Sequence, residues 1–144
     1  MISKAEQFQD WLNDVWRDGK IAEVGRLIAP KANAQGHMIN SGNAAVDLEA
    51  YIPAMHAVIS DTKCDVLRAT ETEDWLACVV NVTGTGFATG RPVSFLGQVM
   101  ARFEGGKIVE MYNQFDKAKL LEQLEFLPND CFAMMLAGES LVKR

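Results

Sequence analysis

Basic charge is in short supply. The chain carries 14 lysines and arginines against 19 aspartates and glutamates, a formal net charge of −5. A nucleic-acid binder needs a basic patch to release counterions from phosphates. Here the basic residues are scattered among acidic ones, so no nucleic-acid partner is expected. Histidine is scarcer still. The two histidines, His37 and His56, have no H-x-x-x-H spacing, and no metal is expected. The cysteines number three, Cys64, Cys78 and Cys131, with no C-x-x-C. That odd, widely spaced set argues against a disulfide framework and for reduced thiols in a cytoplasmic protein. No run reaches the ~18 apolar residues of a membrane span. The N-terminal residues enter an amphipathic pattern at once, without a leader's apolar block. No membrane partner is expected. The serines lack a G-x-S-x-G context. Gly84, Gly86 and Gly90 lack the helix and the Lys-Ser/Thr pair of a phosphate loop.

What is present is apolar and periodic. Of 144 residues, 49% are hydrophobic, enough for one domain with a single core. Ser3 and Glu6 have capping-box spacing. Phe8, Trp11, Leu12, Val15 and Trp16 then line one helical face. A second short helix is predicted over IAEVGRLI, ended by Pro30. The segment ANAQGHMIN reads as a short strand or an extended loop. A third helix covers about residues 45–60, with Leu48, Tyr51, Ile52, Met55 and Ile59 as its stripe and Pro53 in its middle.

After Asp61 the pattern changes. TKCDVLRAT, DWLACVVNVTGTG, PVSFLGQVMARF and KIVEMYNQF read as four antiparallel strands, with ETED and EGGK as turns. A helix follows over DKAKLLEQL. The tail could form one more helix, with Asp130 as its N-cap. Helices followed by strands predict an α+β fold with helices on one face of an antiparallel sheet. Neither face of DWLACVVNVT is strongly polar. A sheet wetted on one side should alternate cleanly, so both faces should be covered. A homodimer through the second face, or the C-terminal tail, would do this.

These residues resemble the SnoaL-like polyketide cyclase family of the NTF2-like superfamily. FQDWLNDVWRDGKIAEVGRLIAPKANAQGH resembles its opening: a tryptophan-bearing helix, a short helix, a proline and a histidine. GTGFATGRPVSFLGQVMARFEGGKIVEMYNQFD resembles its centre, ending in an aromatic residue and an aspartate, and LLEQL its closing helix. The likeness covers about residues 6–125. It divides the chain into a domain over 1–128 and an extension over 129–144. It implies a cone in which a strongly curved sheet wraps a long helix around an apolar pocket. Its members include polyketide cyclases, relatives of ketosteroid isomerase and of epoxide hydrolase, and domains that only bind or dimerise.

In the cyclases the aspartate after the last strand is the acid/base, which implies Asp116. The family commonly has tryptophan in that strand, where this chain has Tyr112. Asp116 is also well placed as an N-cap, and both readings stand. Tyr112 and Asn113 must face opposite sides of the strand; by parity with Ile108, Tyr112 is the one assigned to the pocket. The expected set is Asp116, His37 and Tyr112 as catalytic residues, with His56, Asn113, Trp16 and Phe95 against the ligand. The expected chemistry is cofactor-free acid–base catalysis on a small apolar carbonyl compound, by cyclisation or isomerisation. A non-catalytic ligand-binding or dimerisation module is the alternative. Epoxide hydrolysis, with Arg68 or Arg102 supplying an arginine, is a lesser one.

Overall fold

The computed structural model describes residues 2–36 and 42–143. Helix α1 spans Lys4–Trp11 and opens with the full capping box: Glu6 N–H donates to Ser3 Oγ, and Ser3 N–H to Glu6 Oε2, each at 3.1 Å. The expected helical face holds, with Phe8, Trp11, Leu12 and Val15 buried. Its geometry does not stay α-helical. From Leu12 to Arg17 the run widens into a π-helix, with Asp18 N–H reaching back to the Asn13 carbonyl. Gln9 ties this run to the sheet. Its side chain donates to the Cys64 carbonyl at 2.9 Å and accepts from Val66 N–H at 2.7 Å.

The second helix is shorter than the pattern predicts. A 3-10 turn at Ile21–Glu23 leads into α2, Val24–Leu27. The backbone turns extended at Ile28, and β1 runs Ile28–Gln35, with Pro30 in an irregular stretch between Ile28 and Asn33 where the pairing with β5 shifts register and Lys31 has φ 63°. Pro30 is tolerated because β1 is an edge strand. Helix α3, Ala44–His56, is capped by Asn43 and contains Pro53 without interruption.

The remaining strands are β2 Ile59–Thr72, β3 Trp75–Gly86, β4 Pro92–Glu104 and β5 Lys107–Phe115. They form the expected antiparallel meander. The sheet has one strand more than expected: β1 adds to β5 in parallel, giving the order β1-β5-β4-β3-β2. Register breaks in β2 and β5 bend and twist the sheet. Its concave face buries Leu76, Cys78, Val80 and Val82 of β3, with Phe95 and Val99 of β4, beneath the helices. The opposite face is apolar too, and none of the described residues covers it. Leu67, Leu96, Met100 and Tyr112 are exposed there.

Helix α4, Lys117–Gln123, closes the body. β5 reaches only as far as Gly97 along β4, which leaves the backbone of Ser94 at a bare edge. Gln123 fills it: its side-chain amide accepts from Ser94 N–H at 2.6 Å and donates to Ser94 O at 2.8 Å. The tail does form a helix, α5, over Cys131–Leu136. Asp130 occupies the N-cap position, but its left-handed backbone, φ 61°, gives no side-chain cap bond. None of the α5 side chains is buried.

Candidate functional site

Between the helices and the concave sheet face lies a cavity of about 80 Å³. Trp11, Leu12 and Trp16 wall it from the first helical run, Leu48, Tyr51 and Met55 from α3, and Val80, Phe95, Val99 and Phe115 from the sheet. Two local devices shape it. The π-turn is coupled to α3 where the Trp16 carbonyl meets His56 Nε2 at 2.5 Å. A carbonyl only accepts, so Nε2 is the protonated nitrogen. Phe115 lies across Gly97, where a Cβ would fall 2.1 Å from the ring. The missing side chain lets Phe115 stand edge-on to Phe95, with centroids 6.3 Å apart.

The polar lining is sparse: Thr62, Asn113, Lys117, the Tyr51 hydroxyl and the Cys64 thiol. Thr62 donates to the Ile59 carbonyl at 3.3 Å. Asn113 is buried, and its amide donates to Gln35 O at 3.4 Å. Lys117 Nζ donates to Gly36 O at 3.1 Å, on the rim. Burial raises the Tyr51 hydroxyl above its ordinary value. Burial, aided by Asp65, pushes Cys64 up to about 12. At neutral pH both groups are uncharged, and Lys117 is the one cation among the described lining residues.

The cysteines differ accordingly. Cys78 is also buried and pushed up to about 11. Cys131 is only half-buried; its thiol donates to Glu122 Oε1 at 2.8 Å, and that bond raises its pKa. A thiolate-seeking reagent at pH 8 should label Cys131 within minutes and leave Cys64 and Cys78 until the protein unfolds. Intact-mass analysis over time would show one early adduct. Three simultaneous adducts on folded protein would contradict this.

Of the expected site residues, Asn113, Trp16 and Phe95 line the cavity. His56 does not; its ring supports the Trp16 backbone from behind. His37 lies outside the described residues. Tyr112 requires a correction. It stands on the outer face, stacked on Trp75 with centroids 6.5 Å apart and donating to Glu110. The parity argument failed at a β-bulge. Arg102 pairs with Glu110 and Phe103 with Ile108, so Val109 is an extra residue. Ile108 faces inward before the bulge, and Met111 and Asn113 do so after it.

Asp116 is exposed, and its Oδ1 accepts from Lys119 N–H at 3.0 Å as the N-cap of α4. Its neighbours Phe115 and Lys117 both line the cavity, which sets Asp116 on the rim rather than inside. Arg68 and Arg102 stand on the outer side. Arg68 borders a groove there, and Arg102 is paired with Glu104 and Glu110. Tyr51, Leu48 and Met55 belong to the recognised stripe of α3, where spacing alone reads as core. Thr62, Cys64 and Lys117 had no distinguishing signal.

Residues 6–124, nearly the whole body that builds this cavity, match the family of SnoaL-like polyketide cyclases. The chain belongs to that family. No curated protein matches the chain by sequence. Among solved structures, the SnoaL-like body is similar to a candidate polyketide cyclase from Bacillus cereus. The TM-score is 0.75 at 16% identity, covering 85% of this chain and 79% of that one. TsrD from Streptomyces laurentii gives a TM-score of 0.75 at 15% identity, covering 88% of this chain and 100% of that one. A hypothetical protein from Catenulispora acidiphila, with a ketosteroid isomerase-like fold and in complex with trimethylamine, gives 0.72 at 15% identity over 90% and 98%. At such identities these likenesses establish the SnoaL-like, NTF2-type cone and leave the chemistry to the residues of this chain.

Proposed function

We propose that this SnoaL-like chain is an enzyme of cyclase or isomerase type. It moves a proton next to the carbonyl of a small apolar compound, without a cofactor. The observation that carries this reading is an apolar cavity in which Asn113 is the one carboxamide among the described lining residues. An amide donor in a water-poor site stabilises a developing enolate oxygen far better than it would in water. Lys117 adds positive charge at the rim. Asp116, between the lining residues Phe115 and Lys117, is the base. In the resting state it caps α4. Releasing such a cap costs about 1 kcal/mol, roughly a fivefold loss in rate, against the ~10²–10⁴ that general base catalysis supplies.

Cyclisation and isomerisation both begin with the same proton removal. The test is therefore exchange of the acidic C–H protons of a small apolar β-keto ester in D₂O, followed by proton NMR. Trp11 and Trp16 line the cavity, so tryptophan fluorescence reports binding independently. Asn113→Leu should slow exchange by about 100-fold, consistent with loss of one oxyanion donor.

A second reading, a non-catalytic binder of small apolar molecules, is favoured by one observation: the Asp116 carboxylate is exposed and engaged as a cap. Saturable fluorescence change without exchange, across ketones and β-keto esters, would establish it over the first. Epoxide hydrolysis loses its support, since both candidate arginines stand outside the cavity.

A further inference from the structure

The cavity admits only part of a carbonyl compound. Its volume of about 80 Å³ is roughly half of the ~150 Å³ that takes a benzene molecule. A short apolar end fits inside, and the rest of the ligand must lie at the rim.

The rim carries a charge. Lys117 lines it, and among the described residues this lysine forms no ion pair. Its ammonium is steadied by a neutral carbonyl, Gly36 O, at 3.1 Å. The Asn113 carboxamide is tied to the preceding carbonyl, Gln35 O, at 3.4 Å. Those carbonyls belong to consecutive residues, whose Cα atoms are about 3.8 Å apart. The end of β1 thus holds both donors, the carboxamide buried and the ammonium exposed. A ligand whose carbonyl meets Asn113 has Lys117 within reach of a short spacer.

The charge balance selects the group at that spacer's end. None of the described lining residues is acidic. Asp116 is next to Lys117 in the chain, but its Oδ1 is turned onto Lys119 N–H at 3.0 Å. One ammonium balances a monoanion. A phosphate, with a charge of about −1.5 to −2, would leave surplus negative charge beside Asp116 on a chain of net charge −5. A carboxylate leaves none.

From these features we infer that the substrate is a short carbonyl compound bearing one carboxylate. Its apolar end fills the cavity, its carbonyl oxygen meets Asn113, and its carboxylate sits on Lys117, which sets the specificity. This substrate class rests on the proton-transfer reading above and narrows it.

The test uses two β-keto esters that differ by one charge: monomethyl β-ketoadipate, with a free acid at its far end, and its neutral dimethyl ester. Tryptophan fluorescence on the full chain at pH 7 gives a Kd for each, and C–H exchange in D₂O gives turnover. Wild type should bind the acid about tenfold more tightly. The preference should shrink in 1 M salt, where the screening length is ~3 Å. The chain's net negative charge opposes any anion, so a preference for the acid reports a local cation. Lys117→Met keeps the apolar stem and should bring the ratio of the two Kd values to about one. Lys117→Arg keeps the charge and should hold the ratio within about threefold of wild type. Lys119→Met, on the same helix but outside the cavity lining, should leave the ratio as it is.

A preference that depends on Lys117, without exchange on either probe, would sustain the carboxylate site and sink the catalytic reading. Exchange on both probes with equal affinities would do the reverse. The inference is also overturned by a preference that survives Lys117→Met, by one that Lys119→Met abolishes, or by a chain that binds neither probe.

Discussion

Asp116→Asn should slow proton exchange on a small β-keto ester by at least about 100-fold while leaving the melting temperature almost unchanged. The two halves of that result test different roles of one side chain. Asparagine caps helices as well as aspartate does, so the bond to Lys119 N–H survives and α4 stays in place. What asparagine cannot do is accept the proton, and general base catalysis is worth ~10²–10⁴. Asp116→Ala separates the roles from the other side. It removes cap and base together, so exchange should fall equally while stability drops by about 1 kcal/mol. Thermal melts and exchange rates on the three proteins give the comparison. Full exchange activity in Asp116→Asn would remove Asp116 as base and leave it a cap alone.

Gly36→Ala should be the most damaging single methyl group. Gly36 ends β1 with φ +90°, and a Cβ there would lie 1.6 Å from the carbonyl oxygen of Asn113. That oxygen belongs to the backbone of β5 and cannot swing aside. Two costs combine. A non-glycine residue in such a conformation costs about 1–3 kcal/mol, and the overlap must separate β1 from β5 or displace Asn113. A total above about 4 kcal/mol is expected, which lowers the melting temperature by roughly 10 °C for a chain of this length. Gly42 supplies the control, since it also has positive φ, +85°, with nothing within 4 Å of a Cβ. Gly42→Ala should cost only the conformational part. Equal losses at both sites would mean that the contact with Asn113 has no weight.

Much of this fold is legible in local pattern because its determinants are local. The capping box of α1, the meander β2–β5 and the start of α4 each depend on residues within a few positions of one another. β1 is different. Its partner, β5, lies some 80 residues away, and Pro30 argues locally against a strand. The π-turn after Trp11 is equally silent, since its residues keep a helical stripe. For the site, the decisive event was one bulged residue, Val109. An inserted residue reverses every facing beyond it. A reading by strict alternation therefore chose Tyr112, and the buried carboxamide went to Asn113. The aspartate after the last strand was recognisable in sequence, but the direction of its carboxylate depends on helix–sheet packing.

Gln123 has a consequence beyond holding α4 to β4. An unpaired strand edge is a template on which another chain can grow a sheet. At Ser94 the glutamine amide takes both backbone positions at once, in effect a counterfeit strand one residue long. It satisfies the ladder and offers nothing onward, because the side chain ends there. The route to edge-to-edge polymerisation is closed at that point, and a side-chain amide on a helix does the guarding.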